Sequence, residues 1–221
     1  MQYRKLGKSG IKVSALGFGC MRFPTMPTED ESLSHFEIPV NEEEAEKMLL
    51  YAMEHGINYF DTAYPYHGGK SEEILGRTMK PHRDKIMIAT KLPAMMVKEA
   101  SDVERFIDEQ LKRLDSDYVD FYLLHGMNNH SWSLMKEYKA LDFMERLVSD
   151  GRIRHIGFSF HDDHADSFPG RIFQTLFSGL AVFIKVVVLD LAQCPVITVY
   201  DLFEQLDFIV KGEPYVTYAA I

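Results

Sequence analysis

The stretch Ile57-Asn-Tyr-Phe-Asp61-Thr-Ala-Tyr-Pro-Tyr66-His-Gly-Gly-Lys70-Ser71-Glu-Glu decides the fold. Three of its first four residues, Ile57, Tyr59 and Phe60, are apolar and β-prone, and Asp61 follows directly. A short polar loop comes next, and Ser71 caps or enters a helix that runs through Met79. The same unit recurs outward along the chain. Upstream, Leu16-Gly-Phe-Gly19 reads as a short strand. Asn41 caps a helix whose first turn is Glu42, Glu43 and Glu44, and Gly56 ends that helix. Downstream, strands are predicted at Lys85–Thr90, Tyr118–Leu124 and His155–Phe158. Helices are predicted from Ser101 to Leu114 and from Leu134 to Ser149, the second closed by Gly151. Strand–helix alternation implies parallel strands joined by right-handed crossovers, and short strands apolar throughout fit a sheet buried on both faces. This pattern fits a doubly wound sheet or a barrel. Tyr3–Leu6 and Lys12–Ala15 flank Gly7-Lys-Ser-Gly10 and predict an N-terminal β-hairpin.

Asp61, Lys91, His125 and Ser159 each follow the last apolar residue of a predicted strand. In α/β folds, ligands and chemistry collect at the carboxyl ends of the strands. The residue types also suit one reaction. A tyrosine hydroxyl, with an ordinary pKa of about 10, is a weak acid. A lysine ammonium beside it favours the phenolate, and an aspartate holds the ammonium. A neutral histidine can orient a carbonyl oxygen. Such a set would protonate a carbonyl oxygen as a hydride reaches its carbon. Tyr64 and Tyr66 compete for the acid role, and only the spacing from Asp61 favours Tyr66.

Length and composition bound these readings. The chain has 221 residues, a formal charge of −9 and only two cysteines, Cys20 and Cys194. A full (β/α)₈ barrel needs about 250 residues. The acidic balance argues against nucleic acid or an anionic membrane as a partner. The cysteine count indicates no disulfide framework and favours a reducing, cytoplasmic location. No apolar stretch follows the N-terminal charges, so no signal peptide is expected. The last 54 residues carry only 8 of the 57 charged side chains. They include the apolar run Gly179–Leu189, too short for a membrane span and read as a buried strand or helix.

The chain resembles the aldo-keto reductases, a bacterial branch of that family in particular. The resemblance is carried by Gly17-Phe-Gly-Cys-Met-Arg22, by Asp61-Thr-Ala-x-x-Tyr66 with Lys70-Ser-Glu-Glu-Ile-Leu-Gly76, and by Ala89-Thr-Lys91. Leu114-Asp-x-x-Tyr-Val-Asp-Phe-Tyr-Leu-Leu-His125 and Gly151-Arg-Ile-Arg-His-Ile-Gly-Phe-Ser159 complete it, over roughly the first 165 residues. It implies a (β/α)₈ barrel closed at its base by an N-terminal hairpin, and a nicotinamide cofactor, usually NADPH, bound without a Rossmann fold. It implies a catalytic tetrad, here Asp61, Tyr66, Lys91 and His125, acting on a small-molecule carbonyl substrate. It places Gly19, Met21, Asp61 and Ser159 at the nicotinamide end of the cofactor. Gly17-Phe-Gly19 lacks the third glycine and the following helix of a dinucleotide-binding turn, in agreement. Some members of this branch carry an iron–sulfur module; with no Cys-x-x-Cys run, none is expected here.

The family pattern ends after Asp166. The expected fold is therefore an incomplete (β/α)₈ barrel of about five strand–helix units over residues 1–167. Residues 168–221 form an atypical tail, read as sequence joined near residue 167, that adds one or two strands, Val196–Tyr200 among the β-rich segments. No basic cluster for an adenosine phosphate is found, so weak or no cofactor binding is expected. A non-catalytic, reductase-like fragment is the alternative function. His161-Asp-Asp-His164 lacks further ligands and is not read as a metal site. Cys20 is read as a buried packing residue. Trp132 and Tyr138 are read as lining a substrate pocket or packing on a helix. Glu42–Glu44 and Glu72–Glu73 are read as first-turn helix acids.

Overall fold

A computed structural model describes residues 1–6, 9–160 and 185–186, the last two and Phe160 by backbone alone. The readings at His161 and His164, at Cys194, at Val196–Tyr200 and over most of 179–189 lie outside the described residues.

β1 (Tyr3–Lys5) and β2 (Lys12–Ser14) form an antiparallel hairpin, with Tyr3 opposite Ser14. Six strands then form one parallel sheet: β3 (Phe18–Gly19), β4 (Tyr59–Asp61), β5 (Met87–Leu92), β6 (Val119–Met127), β7 (Ile153–Phe160) and β8 (Lys185–Val186). The helices are α1 (Glu42–Glu54), α2 (Lys70–Met79), α3 (Ala100–Arg113), α4 (Asn129–Glu137) and α5 (Ala140–Ser149). Each strand pairs with the next in sequence, from β3 to β8, and the order never reverses. With right-handed crossovers, an order without reversal puts all helices on one side, as in a barrel, whereas a doubly wound sheet reverses. Among the described residues the sheet is open, ending at β3 and β8. β8 pairs in parallel with Phe158 and Ser159 of β7.

Strand side chains alternate between two cores, as period-2 geometry requires. Phe60, Ile88, Tyr122 and Leu124 face the helices and join Leu49, Leu75, Phe106 and Met144. Tyr59, Ala89, Phe121 and Leu123 face the other way and pack with Leu6 and Val13 of the hairpin, so β1 and β2 plug the base of the concave face. Asp61, Lys91, His125 and Ser159 share the parity of this second set, one step closer to the carboxyl ends.

Local chemistry explains the element ends. Asn41 Oδ1 accepts from the Glu44 N–H at 3.3 Å, and Gly56, with φ +89°, follows α1. Gly76 lets α2 approach the end of α3, because a Cβ there would lie 2.4 Å from the Leu114 backbone.

Two expectations are corrected here. The single helix at Leu134–Ser149 is two helices, broken at Lys139, whose φ is +52°. The first of them starts earlier because Asn128 and Ser131 cap it reciprocally, at 2.9 and 2.8 Å. β5, β6 and β7 also run past their predicted ends, so Lys91, His125 and Ser159 lie inside strands. Gly126, in the left-handed region, sits where the β6–β7 register slips by one residue.

Candidate active site

Lys91 is the centre of the carboxyl-end cluster. Its side chain is 1% exposed, and its ammonium donates to Asp61 Oδ1 and, at 2.8 Å, to the Thr62 carbonyl. The Tyr66 hydroxyl lies 3.5 Å from Lys91 Nζ, and the Tyr66 ring meets the His125 ring edge-on at 5.8 Å. The structure thus brings Asp61, Tyr66, Lys91 and His125 together. Asp61 reaches the cluster from the end of β4, Lys91 from β5 and His125 from β6. Tyr66 opens a short 3-10 turn, Tyr66–Gly69, that leads into α2.

The electrostatics follow from burial. Burial works against the Lys91 ammonium, but Asp61 and Tyr66 outweigh it and hold the ammonium above its ordinary range. Burial pushes the Asp61 carboxyl up, against the pull of Lys91. Burial also pushes the Tyr66 phenol up, and Lys91 only partly offsets it. The expectation of a phenol lowered by lysine is corrected, since desolvation of the phenolate dominates. Asp61 Oδ2 is buried with no hydrogen-bond partner among the described residues.

Tyr64 is taken elsewhere. Its hydroxyl donates to Glu109 at 2.6 Å, and the Arg113 guanidinium lies over its ring at 4.1 Å. Cys20 is fully buried, and burial raises its thiol well above the ordinary range, in keeping with a packing role. Trp132 and Tyr138 belong to the helix-side core, which supports the packing reading. Among the described residues, no group of three or more His, Cys, Asp or Glu could hold a metal ion.

Gly19 pairs in register with Asp61, and the Cys20 N–H donates to the Asp61 carbonyl at 2.7 Å. Met21 follows at the partly buried start of the β3–α1 loop. Ser159 is buried, and its Oγ accepts from the Gly126 N–H at 2.9 Å. The Ser159 hydroxyl and the Asp61 Oδ2, which has no partner among the described residues, are of the kind that would meet the polar groups of a nicotinamide riboside.

Sequence reasoning missed three features. Thr62 takes part through its backbone carbonyl, which no residue-type signal marks. Glu72, read as a first-turn acid, is fully buried and accepts from Thr90, Gln110 and Arg113. His67, next to Tyr66, is buried with φ +49°, and its Nε2 accepts from the Phe23 N–H at 3.2 Å. Its ring lies against Phe23, His35 and Phe36, which ties the β3–α1 loop to the Tyr66 turn.

A model of the aldo/keto reductase family matches residues 15–167, the segment that builds this cluster. The chain belongs to the aldo/keto reductase family. It is similar to a probable aldo-keto reductase 1 of Glycine max, at 33% identity over 164 residues, 70% of this chain and 44% of that protein. It is similar to an L-galactose dehydrogenase of Arabidopsis thaliana, at 35% identity over 167 residues, 71% of this chain and 48% of the other. The chain spans about half the length of these curated relatives. Among solved structures, an aldo-keto reductase of Klebsiella pneumoniae in complex with NADPH matches with a TM-score of 0.58 and 26% identity, over 74% of this chain and 51% of that one. A thermostable aldo-keto reductase in complex with the inhibitor epalrestat matches with a TM-score of 0.64 and 25% identity, over 100% of this chain and 89% of the other. Among the described residues of this reductase-family chain, no helix is long and apolar enough to cross a membrane.

Proposed function

We propose that this site reduces the carbonyl group of a small molecule, with NADPH as the hydride source and Tyr66 as the general acid. The observation that carries this reading is the buried Lys91 ammonium, shared between Asp61 and the Tyr66 hydroxyl. The Klebsiella structure with NADPH and the dehydrogenase name of the Arabidopsis relative support it.

In this reading the Tyr66 hydroxyl hydrogen-bonds the carbonyl oxygen, and His125 orients that oxygen from the other side. As the oxygen gains charge, Tyr66 delivers its proton, the alcohol forms, and the phenolate is left beside Lys91. The ammonium stabilises that phenolate most strongly where water is excluded. Asp61 keeps the ammonium charged and in place. A raised phenol pKa keeps Tyr66 protonated through neutral pH, as an acid requires. Gly19, Met21, Asp61 and Ser159 would hold the nicotinamide end of the cofactor, which supplies the hydride when bound. A free, buried Cys20 fits the cytoplasmic location that belongs to this reading.

The test is carbonyl-dependent oxidation of NADPH across a panel of aldehydes and ketones, beside a fluorescence titration of NADPH. Carbonyl-dependent turnover is expected, with NADPH binding weakened by the lack of a basic cluster for the adenosine phosphate. No binding up to millimolar NADPH would transfer the case to the alternative, a reductase-like protein without catalysis.

A further inference from the structure

Thr90 and Lys91 are neighbours in β5, so their side chains leave opposite faces of the sheet. Lys91 turns to the site. Thr90 turns to the helices, where its hydroxyl donates to Glu72 Oε1 at 2.6 Å. The Gln110 amide nitrogen, on α3, lies 2.7 Å from the same Glu72 oxygen, 2.9 Å from Thr90 Oγ1 and 3.1 Å from the Lys91 carbonyl. The orientation of this amide is fixed, because the Tyr122 hydroxyl donates to Gln110 Oε1 at 2.8 Å. Arg113 bridges Glu72 Oε2 and the Tyr64 carbonyl, at 3.3 and 3.1 Å. Glu72, Thr90, Gln110 and Tyr122 are all fully buried.

Packing alone does not call for this network. Buried polar groups of this kind are commonly replaceable by apolar ones at no loss of stability. The network does, however, meet a need of the backbone. Pairing of β4 with β5 stops at Ala89, whose carbonyl accepts from the Thr62 N–H at 2.8 Å. Beyond that point β5 pairs only with β6, through Lys91 and Leu123. Gln110 reaches the Lys91 carbonyl from the helix layer just where the sheet no longer holds β5 on both sides.

We infer that Gln110 and Glu72 are positioning residues for Lys91: they fix its backbone from behind the sheet, and so the place of its ammonium between Asp61 and Tyr66. This rests on the reading of Lys91 as part of a reducing site. Gln110→Met keeps the length of the side chain and removes its donors. It is expected to fold, to lower kcat by about ten- to a hundred-fold with KM within about twofold, and to move the alkaline limb of the pH profile. Titration of the Lys91 Nζ by ¹⁵N NMR reads the same displacement without turnover, and a midpoint lower by about one unit is expected. Glu72→Leu should follow Gln110→Met. Glu72→Gln, which keeps the oxygen bonded by Thr90 and Gln110, should restore most of the rate and of the Lys91 titration. If Gln110→Met does not fold, Thr90→Val removes the strand side of the network at constant shape and must shift Lys91 in the same direction. A Lys91 titration and kcat unchanged in Gln110→Met, or in Thr90→Val in its place, overturn the inference. Tyr66→Phe run in parallel separates the two claims. A wild-type rate there removes the reducing role, while the Lys91 titration still decides the positioning role.

Discussion

Two carboxylates lie at opposite ends of the same parallel sheet and are built differently. Asp120, near the start of β6, has both oxygens occupied: Oδ2 accepts from the Ile88 N–H at 2.9 Å and from Arg83 at 2.7 Å, and Oδ1 accepts from Arg154 at 2.8 Å. Asp61, at the end of β4, spends one oxygen on Lys91 and leaves Oδ2 without a partner among the described residues. Folded proteins normally pair their buried polar atoms, and an unmet carboxylate oxygen beside Lys91 fits a place where a ligand's polar group would bind. The base is a finished structural joint. The carboxyl end keeps bonding capacity in reserve, and the chemistry is proposed there.

That contrast can be broken, most severely at the carboxyl end. Tyr66→Phe removes the proposed proton donor and is expected to lower carbonyl reduction by about 10²- to 10⁴-fold with little change in thermal midpoint. Steady-state rates and a melting curve on one preparation decide this, and a large fall in stability would mean that the two ends do not differ in kind. At the base the effect should be reversed in type. Asp120→Ala leaves the Ile88 N–H without its acceptor and the Arg83 guanidinium without its counter-ion, at a cost on the order of 3 kcal/mol in urea unfolding. Any folded fraction should keep its turnover, and a selective loss of kcat would refute the division.

A smaller effect concerns pH. His155 stacks on Phe121 at 5.0 Å, and burial holds its imidazole below the ordinary 6.5, aided by Arg154 and opposed by Asp120. The unfolded chain then takes up the proton before the folded one does. The contribution is present in full above pH 6.5 and is lost as pH falls through 6.5 towards the lower folded value. Urea midpoints at pH 7 and pH 5 should show this loss, and His155→Phe, which keeps a ring and loses the titration, should reduce it. The smallest effect belongs to neither end. Arg77 pairs with Glu42 and Glu46 on the exposed faces of α1 and α2, and Arg77→Ala should cost less than about 1 kcal/mol. A larger cost would show that surface ion pairs add more here than their exposure suggests.

Much of this was legible from local pattern. Asn41, Gly56 and the apolar runs before Asp61, Lys91, His125 and Ser159 place the elements because caps, turns and burial act within a few residues. The two-residue period of a strand then puts those four polar side chains on one face. The short range of these rules is also their limit. Asn128 and Ser131 carried a cap signal that starts α4 before Leu134, whereas nothing at Lys139 announces its left-handed backbone.

The sequence by itself determined the order of the elements, the family motifs and the polar residues at the carboxyl ends. Only the tertiary structure separated Tyr64 from Tyr66, by placing the Tyr64 hydroxyl on Glu109, 45 residues away, and the Tyr66 hydroxyl near Lys91. Only the structure turned Glu72 from a helix-end acid into a buried acceptor, through Gln110 at a separation of 38 residues. The direction of the Tyr66 phenol was decided there as well, because desolvation depends on what every packed element leaves for water and has no short-range signature.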